Sequence, residues 1–132
     1  MNTVRTISCF CFTSILLASC DPAKLLVIKT SNKSNASVTV YANRQIIPSA
    51  NKGDKSKLVI QVPFNDTASK KFSYGIGNWP LEAIDALATN IDSIEINNTI
   101  NKVVLANKAD ILNYLKKHRG GYAGSVLTIE AK

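Results

Sequence analysis

The chain has 132 residues, with 16 Lys and Arg against 9 Asp and Glu, for a formal net charge of +7. All three cysteines, Cys9, Cys11 and Cys20, stand before residue 21. The rest of the chain therefore lacks a disulfide framework, a cysteine nucleophile and a cysteine metal site, and must fold on its hydrophobic core.

Residues 1–19 have the three parts of a secretory signal. Arg5 and the free amino end supply a positive start, Ile7 to Leu17 is a short apolar stretch, and the small residues Ala18 and Ser19 precede a cut. The stretch is too short to span hydrocarbon, which takes roughly 20 apolar residues. Thr6, Ser8, Thr13 and Ser14 dilute it further.

Leu17-Ala18-Ser19-Cys20 resembles the lipobox of bacterial lipoprotein signals. The resemblance covers only the start of the chain. It implies that Cys20 receives a diacylglyceryl group on its thiol, that a dedicated peptidase cuts before it, and that the new amine is often acylated. It also implies an address: a bacterial cell membrane, with the protein facing the periplasm or the exterior. Two lipid chains hold a protein stably where one holds it only marginally. The competing readings are an ordinary signal peptide cut nearby, with Cys20 left free, and an anchor that is never cut. On the lipoprotein reading, residues 1–19 are the removed signal, residues 20–24 are the lipidated cysteine and a short tether, and residues 25–132 are one small domain. Asp21 directly after the lipidated cysteine resembles the inner-membrane retention signal of enteric bacteria. Three or four extended residues reach at most about 13 Å, which would keep the domain close to the membrane.

Charge is unevenly placed after the tether. Residues 22–71 carry Lys24, Lys29, Lys33, Arg44, Lys52, Lys55, Lys57, Lys70 and Lys71 against Asp54 and Asp66, whereas residues 72–101 carry Glu82, Asp85, Asp92 and Glu95 and no cation. In an exported protein such a balance points away from nucleic acid. It points toward anionic lipid or an acidic envelope partner, with Lys24, Lys29, Lys33, Lys52, Lys55 and Lys57 as candidate contacts. A solvated basic surface that aids solubility accounts for the same residues.

Leu25-Leu26-Val27-Ile28 reads as a buried strand, Thr30 to Asn35 as a turn, and Ala36 to Ala42 as an alternating strand, the two strands forming a hairpin. Asn43 to Ser56, with Pro48 and Gly53, reads as a loop with Ile46 and Ile47 tucked inward. Lys57 to Pro63 alternates again, Asn65-Asp66-Thr67 is a turn, and Lys71 to Ile76 is a strand with Phe72, Tyr74 and Ile76 on one face. Trp79 precedes Pro80, which suits the first position of a helix over 80–90. Its apolar stripe is Leu81, Ile84, Leu87, Ala88 and Ile91. Ile94 and Ile96 mark a further strand, and Lys102 to Leu105 pairs back on it. Asn107 caps a second helix with Asp110 three residues on, and Gly120 ends it after Lys116, Lys117, His118 and Arg119. Val126 to Ala131 is the last strand. The sum is an α+β domain: a largely antiparallel sheet of about seven short strands, with two helices packed on one side.

No catalytic set assembles along the sequence. His118, the single histidine, lies among cations at a helix end. The acids Glu82, Asp85, Asp92 and Glu95 lack the alternate-acid spacing of a calcium loop. Gly75-x-Gly77 lacks the rest of a nucleotide fingerprint, and Gly120-Gly121-Tyr122-Ala123-Gly124 follows a helix C-terminus, whereas phosphate loops use N-termini. Tyr74, Trp79, Tyr114 and Tyr122 suit a core more than a binding face. The expectation is a binding or scaffolding lipoprotein that is not an enzyme and needs no cofactor or metal. The alternative is a small inhibitor or immunity-type lipoprotein that blocks an envelope-targeting enzyme.

Overall fold

The computed structural model describes residues 21–31, 35–63 and 69–131. Among these, eight strands and two α-helices follow one another: β1 (Ala23–Thr30), β2 (Ser37–Asn43), β3 (Lys57–Val62), β4 (Lys70–Ile76), α1 (Leu81–Thr89), β5 (Ile91–Asn97), β6 (Lys102–Leu105), α2 (Lys108–Lys117), β7 (Arg119–Gly120) and β8 (Val126–Ala131). The α+β class is as the sequence implies. The strands number eight, not seven, and they divide into two four-stranded sheets, ordered β4-β1-β8-β7 and β3-β2-β5-β6.

β1 and β2 do not form the hairpin that their proximity in sequence suggests. β1 pairs antiparallel with β4 and parallel with β8, with Leu25 opposite Val126 and Ile28 opposite Ile129. β2 pairs with β3 and β5 in the other sheet. The physical reason lies in the run Leu26-Val27-Ile28, all three buried. A strand apolar on both faces needs neighbours on both edges and cover above and below, as in the interior of a sheet with parallel pairing. β2 also has a buried run, Val38 to Val40, but the polar Thr39 stands within it and Tyr41 is exposed, so only one of its faces is apolar.

One core unites both sheets and both helices. It includes Leu26 and Ile28 of β1, Val38 and Val40 of β2, Ile94 of β5, Leu127 and Ile129 of β8, Ile84 of α1, and Ile111 and Leu115 of α2. α1 packs on α2, and α2 reaches β5 in one sheet and β8 in the other.

Helix ends follow local chemistry. The Asn107 side-chain oxygen accepts from the Asp110 main-chain N–H at 2.9 Å, as the capping pattern requires. Asp110 completes the arrangement through the Asn107 side-chain amide, which donates to its carboxylate. Pro80 sits one position earlier than expected, as the cap residue with an extended backbone, so α1 begins at Leu81. Its buried residues are Ile84, Leu87 and Ala88, and Leu81 is 54% exposed, outside the stripe assigned to it. α2 stops at Lys117, and Arg119–Gly120, read as the helix end, instead pair with Leu127 and Val126. Ile46 is buried and Ile47 packs against the core, as expected of the loop after β2, where residues 44–46 form one 3₁₀ turn. The turn at Asn65-Asp66-Thr67 lies outside the described residues, and so do Cys20 and Lys33.

Candidate functional site

Two regions attract attention: the place where the chain enters β1, and a cleft beside β4. The entry to β1 is firmly tied. The Gly77 N–H donates to the Pro22 carbonyl at 2.8 Å, and the Leu25 N–H donates to the Ser125 carbonyl at 2.9 Å. The Trp79 indole N–H donates to the Leu25 carbonyl at 2.9 Å, and the Trp79 main-chain N–H donates to the Gly124 carbonyl at 3.0 Å. The Lys24 ammonium stands 4.6 Å from the centre of the Trp79 ring, a cation–π distance. Pro22, two residues after Cys20, is thus already hydrogen-bonded to the folded body.

The cleft has a volume of about 550 Å³ and is lined by residues 45–53 on one wall and by Ser73, Tyr74 and Gly75 of β4 on the other. That size falls in the range of small-molecule and peptide sites. Gln45, Asn51 and Ser73 bring polar groups, Ile47, Pro48 and Ala50 bring apolar surface, and Lys52 brings one positive charge. Tyr74 fixes the floor. Its hydroxyl donates to the Ile46 carbonyl, which ties β4 of one sheet to the 3₁₀ turn leaving β2 of the other. Its ring meets Trp79 edge to face, with centroids 4.8 Å apart. Burial holds the Tyr74 phenol well above its ordinary pKa, so it is a neutral hydrogen-bond donor here and not a base. The loop was legible as Pro- and Gly-bearing chain, but nothing in its pattern announced β4 as its partner.

The candidate cations do not gather on one face. Lys24 lies over the Trp79 ring at the start of β1. Lys29 pairs with Glu130 at 3.4 Å and Lys57 with Asp92 at 2.7 Å. Lys52 and Lys55 are exposed on the loop that walls the cleft.

The acids are also engaged. Asp85 pairs with Lys108 and Glu95 with Lys102, while Glu82 is exposed in the first turn of α1. Among the described residues no three His, Asp or Glu side chains converge as metal ligands. His118 caps α2, stacks on Tyr114 at 4.0 Å, and sets its Nδ1 2.8 Å from the Tyr114 carbonyl oxygen. Gly75 and Gly77 hold φ of 96° and 103° where β4 ends, a turn geometry. Of the four aromatics, Trp79 is buried, Tyr74 and Tyr114 pack against the core, and Tyr122 is 79% exposed.

The chain matches no protein-family model, no curated protein and no solved structure. Any assignment therefore rests on the residues and geometry above. Among the described residues, no helix is long and apolar enough to cross a membrane.

Proposed function

We propose that this chain is a bacterial envelope lipoprotein, held to the membrane through lipid on Cys20, whose folded body acts by binding and not by catalysis. The supporting observation is the spacing between anchor and body. β1 begins at Ala23, and Pro22 is already hydrogen-bonded to Gly77. From Cys20 to Ala23 the chain reaches at most about 11 Å. A body fixed that close to its lipid works at the membrane surface, not at a distance from it. The cleft between residues 45–53 and β4 is the binding site of this reading, with Lys52 favouring a partner that carries an acidic group.

Cys20→Ala tests the anchor. The variant should move from the membrane to the soluble fraction, while the native protein stays with membranes through a carbonate wash. A variant that still pellets after that wash means that lipid on Cys20 is not what holds the protein.

A second reading draws on the loop. Lys52, Gly53 and Lys55 are exposed beside the cleft, on an excursion of the kind a small inhibitor or immunity factor uses to block an enzyme. Capture of one envelope-targeting hydrolase by the native protein, lost when Lys52 and Lys55 are changed to Glu, favours it. Capture that survives those changes removes it.

A further inference from the structure

Three large apolar side chains, on segments tied to the start of β1, stand in solvent. Ile76 is 74% exposed, Leu81 is 54% exposed and Tyr122 is 79% exposed. They come from three different elements, and the hydrogen bonds place all three at one end of the body. Ile76 is the register partner of Ala23. Leu81 follows two residues after Trp79, whose indole holds the Leu25 carbonyl. Tyr122 accepts from the Ser125 N–H, and Ser125 in turn accepts from Leu25. Among the other exposed large apolar residues, Ile100 is 90% exposed and lies at the other end, shortly before the part-exposed Val103 and Val104 of β6. Ile100 follows Asn97, the partner of Ser37 at the start of β2, where the chain arrives after leaving β1. The eight residues of β1 separate these ends by roughly 26 Å.

We infer that Ile76, Leu81 and Tyr122 form a foot that rests in the membrane interface and holds the body upright on its anchor. The inference rests on the lipoprotein reading of Cys20. The occupant follows from where the described chain starts: Asp21 precedes Pro22, which is bonded to Gly77 beside Ile76, so lipid on the residue before Asp21 would bring the bilayer to this end. The chemistry fits. Tyr is enriched at the membrane interface, and isolated large apolar side chains partition into it without crossing. The charges at this end do not obstruct it. Lys24 lies along the Trp79 ring, and a lysine can keep its amine in the headgroups. The Arg119 guanidinium turns back to donate to the Gly124 carbonyl at 3.3 Å. Glu82 is exposed on α1 and Asp21 lies on the tether itself, and headgroups accommodate both.

The test uses the native lipidated protein in vesicles of zwitterionic lipid. With residues 1–19 removed, Cys20 is the only cysteine and is blocked by lipid, so each of the single variants Ile76→Cys, Tyr122→Cys and Ile100→Cys takes one polarity-sensitive fluorophore. All three positions are exposed, so the core is untouched. At positions 76 and 122 the label should be quenched by brominated lipid and lose its quenching by aqueous iodide. At position 100 the pattern should be reversed. Iodide quenching at 76 and 122 equal to that at 100 overturns the foot. Shielding of 76 and 122 from both quenchers overturns it too, and assigns the patch to a second copy or a protein partner. Labelling of the wild-type protein means that a thiol is free, which overturns the anchor itself and the foot with it.

Discussion

The Trp79 indole donates to the main-chain carbonyl of Leu25, 54 residues earlier in the chain, at 2.9 Å. That one bond joins the entry of α1 to the second β1 residue after Ala23, at a point where β1 is also held by Ser125. Trp79 is 1% exposed and Leu25 is half-buried, so the bond is partly shielded from water.

Trp79→Phe should therefore cost more than its lost volume. A half-buried carbonyl left without its donor costs about 1 kcal/mol, the lower end of the range for a buried one, and the smaller ring adds to that. Urea unfolding of the variant should show a lower midpoint with an unchanged slope. A midpoint equal to that of the native protein would mean that the bond contributes nothing net.

Tyr74 makes a prediction about alkaline pH. Burial raises the Tyr74 phenol above its ordinary value near 10, so the folded chain keeps the proton after the unfolded chain has lost it. The Tyr74 contribution is fully present below pH 10 or so and is lost as pH rises from there through the folded value. Between those limits stability falls by about 1.4 kcal/mol per pH unit for this one group. Burial shifts Tyr114 the same way, so the native protein should lose stability steeply in base. Tyr74→Phe should show a shallower fall between about pH 10 and 11, beside a constant loss from the missing bond to the Ile46 carbonyl. Parallel pH profiles for the two proteins would rule out this role for the Tyr74 proton.

Much of the local structure was legible because local chemistry decides it. Asn107 and Asp110 announce a helix start, and the alternation of Val126 to Ala131 gives β8 to the residue. Pairing was less legible. Periodicity says that Leu25 to Ile28 is a strand, but its neighbour β8 lies about a hundred residues away, and no local signal names it. Arg119–Gly120 is too short to show any period. Leu81 has the right spacing for the buried stripe, but spacing identifies a face of a helix and not whether the core extends under its first turn. The cleft escaped for the same reason as the β1 pairing: its walls come from residues 45–53 and 73–75, which only the meeting of two sheets brings together. The lipidation proposed for Cys20 is the reverse case, since it rests on a four-residue motif alone.

The Asn107 cap is exposed and local, so its contribution separates cleanly from packing. Asn107→Ala removes the acceptor for the Asp110 N–H and the donor to the Asp110 carboxylate. The loss should be about 1 kcal/mol, within the usual range for an N-cap. Asn107→Ser, which restores an acceptor, should recover most of it. Equal stability for the Ala and Ser variants would show that the cap geometry does not matter here.

Gly121 and Gly120 are adjacent, and the structure predicts opposite outcomes for them. Gly121 has φ 75° and ψ −179°, a region that residues with a Cβ almost never enter. A Cβ there would also lie 2.7 Å from Val126 Cγ2 and 2.9 Å from Ser125 Oγ, on the chain that starts β8. Gly121→Ala should cost on the order of 1–3 kcal/mol from backbone strain alone, with crowding added. Gly120 has an ordinary backbone and open space around its Cβ position, so Gly120→Ala should stay within about 0.5 kcal/mol of the native protein. The pair is informative because both substitutions add the same methyl group and the same restriction to the unfolded chain. Any difference between them therefore arises in the folded state, and thermal unfolding of the two variants side by side measures it. Coincident melting curves would mean that the turn into β8 relaxes freely, and that Tyr122 and Ser125 are not held in place by the backbone of Gly121.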